Sequence, residues 1–320
     1  MVGSQQQLVR ISRKDRELQL TGKRVLLTGA SSGIGRELAS ELAGRGATLA
    51  IAARRRPLLD QVATEVARRG HRKPVVVEAD LSRRGAASDL ADETLACLGG
   101  VDVLVNNAGG GVGGAIFTVG DRDEARDAME VNYWSPLALI RALAPGMRER
   151  REGAIVNVTS SAQVMTWPGF GGYAATKAAL GTATETLAME LAPDGVHVLE
   201  AVPGPVDTAV QGETRLIPGI QRMIGRIPLG DAAVAAQRIV RALERERARV
   251  VYPRLAAVAL TLPTLLRRVA RRDAARADAE LDPEAREYLM SLVVRTGSMG
   301  DEAPRLARES WERERGRARM

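Results

Sequence analysis

Arg24-Val25-Leu26-Leu27-Thr28-Gly29-Ala30-Ser31-Ser32-Gly33-Ile34-Gly35 joins a short apolar run to a glycine loop, and the helical pattern Arg36–Ala43 follows directly. Glycines let the backbone turn tightly and approach a pyrophosphate, while the N-terminus of the next helix offers unpaired N–H groups and the positive end of its dipole. Such a loop is built to hold a dinucleotide. Its glycines at 29, 33 and 35 depart from the general Gly-x-Gly-x-x-Gly spacing, and a glycine loop taken alone also serves as a simple tight turn.

Working outward, apolar runs at Arg24–Leu27, Thr48–Ala52, Pro74–Glu78, Val101–Val105, Ala154–Val158 and His197–Ala201 alternate with longer helical patterns. The runs are apolar throughout rather than at every second residue, as expected of parallel strands covered by helices on both faces. A further strand at Val250–Tyr252 follows the helix-like Ala232–Arg245. The expectation is an α/β fold: a single Rossmann-type doubly wound parallel sheet of about seven strands, helices on both faces, and a helical C-terminal extension. The chain divides into an N-terminal extension (1–20), a catalytic domain (21–252) and a basic, amphipathic extension (253–320).

Hydrophobic residues make up 45% and charged residues 27% of the 320, ordinary values for a globular chain with a sizeable core. Cys97 is the only cysteine, so no internal disulfide forms, and its setting Thr94-Leu95-Ala96-Cys97-Leu98 reads as a buried helix position. Residues 1–20 lack the continuous apolar run of a signal peptide, which points to a cytoplasmic protein. The net charge of +7 is matched by residues 241–272, where nine arginines face Glu244 and Glu246, 9 − 2 = +7. A basic stretch this local, with no reader motif, reads as a solvated helix face or an acidic-surface contact, and nucleic acid is not expected as a partner.

The second strand ends Ile51-Ala52-Ala53-Arg54-Arg55, where a site selective for NAD would favour a carboxylate for the ribose 2′-hydroxyl. Arg54, with Arg55 nearby, suits a 2′-phosphate and hence NADP(H) over NAD(H), unless both are solvated helix-start arginines. Asp80-Leu81 ends the third strand within reach of an adenine edge, and Asn106-Asn107-Ala108-Gly109 ends the fourth at the ligand-binding edge of the sheet. Asn132 stands in a helix pattern, Ser160 and Ser161 end the fifth strand, and Tyr173 and Lys177 lie four apart on one helix face. An ammonium beside a phenol favours the phenolate, so Lys177 is expected to bring Tyr173 down toward a useful acid–base range. No metal ligand set is proposed.

With these motifs in order, the chain resembles the short-chain dehydrogenase/reductase family over roughly residues 20–252. The family's glycine motif matches 28–35, its Asn-Asn-Ala-Gly matches 106–109, and its Asn, Ser, Tyr and Lys match Asn132, Ser160, Tyr173 and Lys177. Pro203-Gly204-Pro205-Val206-Asp207-Thr208 matches the segment after its sixth strand, and the family spacing of 13 before the tyrosine selects Ser160 over Ser161. The resemblance implies that Tyr173 exchanges a proton with the substrate oxygen, Ser160 steadies that oxygen, and Lys177 binds the nicotinamide ribose. Asn132 would hold a helix irregularity and a relay water. Gly29, Ser31, Ser32, Gly33, Ile34, Gly35, Arg54, Asp80, Leu81, Asn107, Ala108, Gly109, Pro203, Gly204, Val206 and Thr208 would cradle the cofactor, Val206 and Thr208 at the carboxamide. The glycine-rich 109–114 exceeds the family pattern and leaves one pocket wall unassigned.

The implied activity is NADPH-dependent reduction of an apolar ketone or aldehyde. Leu216, Ile217, Ile220, Met223, Ile224 and Ile227 fall where the family carries its substrate lid, although they also suit packing onto the body. The family implies a homodimer or homotetramer. The apolar stretch 255–266 and its basic flank to 272 suit a membrane surface, a neighbouring subunit or a cap on the substrate pocket, with subunit or self-packing ranked first and a peripheral membrane contact second. The rival readings are a non-catalytic NADP-binding sensor or scaffold of the same fold, and an epimerase-like relative whose glycine spacing differs.

Overall fold

The computed structural model describes residues 17–120, 122–206, 229–254, 256–279 and 294–296. Its centre is a seven-stranded, all-parallel sheet made of β1 (Arg24–Thr28), β2 (Thr48–Ala53), β3 (Val75–Glu78), β4 (Val103–Asn106), β6 (Gly153–Val158), β7 (Val196–Pro203) and β8 (Arg249–Tyr252). The order is β3-β2-β1-β4-β6-β7-β8, so the chain winds one way from β1 and the other way from β4. The crevice between the carboxyl ends of β1 and β4 is thus the topological switch point, where sheets of this kind bind ligands.

Successive strand residues feed opposite layers. Val25, Leu27, Leu49, Ile51, Val103, Val105, Ala154 and Val156 pack toward α1 (Gly33–Gly44), α2 (Arg56–Arg68) and α8 (Ala232–Glu244). Leu26, Ala50, Leu104, Ile155 and Val198 pack toward α3 (Ala86–Leu98), α6 (Ser135–Arg150) and α7 (Gly171–Leu191). This is why the strands read as continuous apolar runs, and each fully buried Leu, Ile or Val contributes roughly 1.5–3 kcal/mol. Helix α8 begins where the Asp231 carboxylate accepts the Val234 amide at 3.0 Å, and it buries Ala235, Ala236, Ile239, Val240 and Leu243 against the sheet and α1. Of the N-terminal extension, residues 17–20 are described: Leu18 N donates to the Glu244 carbonyl and Leu20 is buried.

One sequence expectation needs correction. Cys97 is exposed, because Leu90, Ala91 and Thr94 occupy the inward stripe of α3 and residue 97 falls outside it. The extension after Tyr252 carries helices, as expected, and one short strand besides. Helices α9 (Ala256–Thr261) and α10 (Pro263–Ala279) meet at Pro263, whose missing amide suits a helix start, but Val294–Thr296 (β9) pairs antiparallel with Gly111–Gly113 (β5). Short helices α4 (Ile116–Val119) and α5 (Asp123–Met129) follow β5 and lead toward α6.

Since Cys97 is exposed, one thiol equivalent is expected to react with an aromatic disulfide reagent in native buffer, at the amplitude seen in denaturant. A thiol that reacts only after unfolding would restore the buried reading.

Candidate active site

The seam between β1 and β4 is sewn by Thr28, whose hydroxyl accepts the amides of Asn107 (3.1 Å) and Ala108 (3.0 Å) and donates to the Val105 carbonyl (3.3 Å). The Asn107 side-chain amide donates to the Thr28 and Gly29 carbonyls at 3.0 and 3.2 Å. Asn107 thereby holds the glycine loop rather than presenting a free group. Gly35 sits so close that a Cβ would lie 2.1 Å from the Gly29 carbonyl oxygen. Helix α1 starts with no side-chain cap at Ser32 and no acidic residue in its first turn, so neither takes up its first N–H groups. The uncapped helix end and the glycine cradle fit a pyrophosphate.

At the end of β2 two arginines approach this loop. Arg55 reaches the hydroxyls of Ser31 and Ser32, each at 3.5 Å. Arg54 lies 3.9 Å from the Asp80 carboxylate, which also accepts the Ser82 amide and hydroxyl. Leu81 is buried and its carbonyl accepts the Ser135 hydroxyl, so neither its side chain nor its carbonyl is free at this edge. At the far side Pro203 ends β7, the Gly204 amide donates to the Tyr252 carbonyl, and buried Val206 bridges to Gly230. Thr208 and the lid residues 216–227 lie outside the described residues.

The four expected catalytic side chains converge beyond the β4 end. Asn132 is fully buried in a π-helical turn, Glu130–Trp134, which is the irregularity the family resemblance implied. Its side chain accepts the Gly110 amide at 3.1 Å and donates to the Gly110 carbonyl (2.5 Å) and the Thr176 hydroxyl (2.9 Å). A Cβ on Gly109 would stand 3.0 Å from the Asn132 Oδ1 and 3.3 Å from the Lys177 Nζ, so a side chain there would crowd both. Lys177, 4% exposed, donates to the Val158 carbonyl at 3.0 Å and lies 5.9 Å from the centre of the Tyr173 ring. Tyr173 is half-buried, hydrogen-bonded to Ser160, and its ring is 5.1 Å from that of Phe170. Ser161 is buried, so the geometry also favours Ser160.

The electrostatics differ from the expectation drawn from Tyr-x-x-x-Lys spacing. Burial pushes the Tyr173 phenol above its ordinary value, and the Ser160 hydrogen bond offsets this only in part. Burial pulls Lys177 down to about 8. In this state desolvation dominates, and the phenol is held in its protonated, donating form.

Several residues that hold the site were missed. Buried Glu200 accepts from the Thr159 hydroxyl (2.9 Å), Gln163 (3.0 Å) and Arg249 (2.5 Å), fixing the turn Ser161–Val164 behind Ser160. A lone carboxylate inside the apolar run Val196–Val202 was the available signal, since a buried charge needs partners. Thr28 opened the glycine motif and Thr176 lay between Tyr173 and Lys177, but neither was given a role, because threonine is common in strands and helices alike.

Comparison with known proteins agrees with this geometry. The family profile described as short chain dehydrogenase matches residues 23–216, well over half of the chain. The chain belongs to the short-chain dehydrogenase family. It is 37% identical over 244 residues to an 11-beta-hydroxysteroid dehydrogenase of Arabidopsis thaliana, covering 73% of this chain and 69% of the relative. It is 34% identical over 256 residues to a fatty acyl-CoA reductase of Mycobacterium tuberculosis, covering 78% and 82%. A solved short-chain dehydrogenase from Streptomyces avermitilis superposes with a TM-score of 0.68 at 33% identity, over 82% of this chain and 100% of that one. This short-chain dehydrogenase is therefore an NAD(P)-dependent oxidoreductase acting between alcohol and carbonyl groups.

The buried lysine sets a pH signature. Between about 8 and the ordinary lysine value of 10.5 the unfolded chain holds a proton at residue 177 that the folded chain has released, so stability rises with pH across that window. Comparing chemical denaturation of wild type and Lys177→Met isolates this effect. Wild type should gain on the variant by about 3 kcal/mol from pH 7 to pH 10.5. Parallel stability curves would place the ammonium in water.

Proposed function

We propose that this short-chain dehydrogenase is an NADPH-dependent reductase of apolar ketones or aldehydes, with Tyr173 as proton donor. The observation that carries the reading is the convergence of Ser160, Tyr173, Lys177 and Asn132 beside the glycine cradle, with the phenol held protonated. When bound, the nicotinamide supplies the hydride. Ser160 hydrogen-bonds the carbonyl oxygen and steadies charge developing on it. Tyr173 gives its proton to that oxygen, completing the alcohol. Lys177, poised near 8, binds the ribose hydroxyls and favours the phenolate that remains. Asn132, through Gly110 and Thr176, fixes the floor of the site and leads a water toward Lys177 as the route for reprotonation.

Preference for NADP(H) rests on the two guanidinium groups at the end of β2. Arg55 is better placed beside Ser31 and Ser32 than Arg54, which leans on Asp80, so the pair together takes the 2′-phosphate. An apolar substrate is supported by Ile116 and Phe117, 61% and 72% exposed beside the start of α7, and by the steroid and fatty acyl names of the relatives. We take residues 21–252 as the catalytic domain, flanked by extensions, and working in the cytoplasm as a homodimer or homotetramer. Exposed Trp134 and Met189, on the stretch entering α6 and on α7, suit a helix-mediated subunit contact. Val258, Leu262, Leu265 and Val269, each 46–56% exposed, form a stripe along α9 and α10 next to Arg268 and Arg272. That stripe suits peripheral contact with an anionic lipid surface, although no helix of the described residues is long and apolar enough to cross a membrane.

Fluorescence titration and a carbonyl panel test the chemistry. Wild type should oxidise NADPH with apolar ketones, and Tyr173→Phe should lower kcat/KM by about a thousandfold while NADPH binding persists. The Arg54→Ala, Arg55→Ala double variant should weaken NADPH by roughly 10–100-fold and leave NADH within twofold. NADPH binding without turnover of any carbonyl would favour the non-catalytic sensor, and equal NADPH and NADH affinities would remove the NADP preference.

A further inference from the structure

Glu200 stands on β7, 2% exposed, between the apolar residues Val198-Leu199 and Ala201-Val202. Its two oxygens serve different partners. Oε2 accepts Arg249 Nε at 2.5 Å, from the residue opposite it on β8, and the same guanidinium also donates to Glu185 at the surface. Oε1 accepts the Thr159 hydroxyl at 2.9 Å and the Gln163 side-chain amide at 3.0 Å. These donors lie one residue before Ser160 and three after it, so a single carboxylate oxygen grips the chain on both sides of the serine.

The turn held in this way directs the serine hydroxyl. Gln163 N donates to the Ser160 carbonyl, closing the turn, and the Ala162 amide comes onto Ser160 Oγ, each at 3.1 Å. With that lone pair engaged, the hydroxyl proton is left to point at Tyr173, its partner on α7, or at a carbonyl oxygen placed between them. The Gln163 side chain also lies against α7. A Cβ on Gly181 would stand 2.1 Å from Gln163 Oε1 and 3.5 Å from Glu200 Oε1, and Gly181 is one helical turn beyond Lys177. The Gln163–Glu200 pair therefore sits between the serine turn and the helix that carries Tyr173 and Lys177. A carboxylate buried in a core strand and a glycine inside a 21-residue helix each disfavour the fold locally, and the two meet at this one hydrogen bond.

We propose that Glu200, anchored by Arg249, is a positioning residue for the reaction: through Thr159 and Gln163 it fixes the direction of the Ser160 hydroxyl relative to Tyr173, and Gly181 is the opening in α7 that lets the pair form. The inference rests on Ser160 and Tyr173 acting together on a carbonyl oxygen.

Gly181→Ala and Gln163→Leu, made in the full-length enzyme, break the Gln163–Glu200 bond from its two sides. Alanine favours helix over glycine, so Gly181→Ala should keep or raise the denaturant midpoint of unfolding, which separates positioning from stability. Both variants should lower kcat for a ketone by about tenfold, with KM and NADPH affinity within about twofold of wild type. In a Ser160→Ala background the same substitutions should change kcat by less than about twofold, because the group that they misdirect is gone. The Ala162 and Gln163 amides should exchange faster in both variants. Wild-type kcat in the two variants, a tenfold loss that persists without the Ser160 hydroxyl, or unchanged exchange at 162–163 would overturn the proposal. If wild type reduces no carbonyl compound, the reading of Ser160 and Tyr173 fails and the positioning role falls with it, while exchange at 162–163 still decides whether the pair orders the turn.

Discussion

Everything in the site hangs on the hydroxyl of Thr28. It ties the end of β1 to the end of β4 by accepting two consecutive amides, those of Asn107 and Ala108, at the point where the strand order reverses. Without it the Ala108 amide would lose this partner, a cost of about 1–3 kcal/mol, and the Asn107 amide would keep its bond to the Val105 carbonyl alone. With the seam closed, Asn107 can turn its side chain onto the glycine loop, and Gly109 can pass between Asn132 and Lys177 without a Cβ. The phosphate cradle and the acid–base cluster are therefore two ends of one hydrogen-bonded strip rather than separate sites.

That strip carries a burden that the fold alone does not require. Lys177 is buried with a carbonyl as its recorded partner, and burial pulls its ammonium down to about 8. A chain selected only for stability would place an apolar residue there. Asn132 interrupts a helix with a π turn to reach Gly110, and Glu200 brings a carboxylate into the middle of a core strand to fix the turn behind Ser160. Each departure from regular packing is answered by hydrogen bonds converging on the same crevice, the pattern expected where function competes with stability.

The sheet was legible because its strands are buried on both faces and its crossovers are helical, so apolar runs and helical patterns alternate cleanly along the chain. Their ends moved by one or two residues, as at β7, which runs on to Pro203 because Gly204 still pairs with Tyr252. The site's residue identities were legible as a motif series, but their energetics were not. Tyr-x-x-x-Lys spacing shows that two side chains share a face, whereas the balance between desolvation and charge depends on how deeply each is buried. Cys97 was misread for a related reason: the apolar letters around it do not reveal which of two adjoining stripes faces inward. The pairing of β5 with β9 was out of reach, since it joins segments nearly two hundred residues apart and one of them is mostly glycine.

The basic character of the chain also resolves into place. The arginines of 241–272 are spread over the end of α8, β8, the turn that follows it and α10, and those described on α10 are exposed. One measurement separates this account from a reading centred on that surface: amide hydrogen exchange of the full-length protein with and without NADPH. The account predicts slowed exchange at residues 29–35 and 107–110, the two loops joined by Thr28. Protection centred on 241–272, with those loops unchanged, would contradict it.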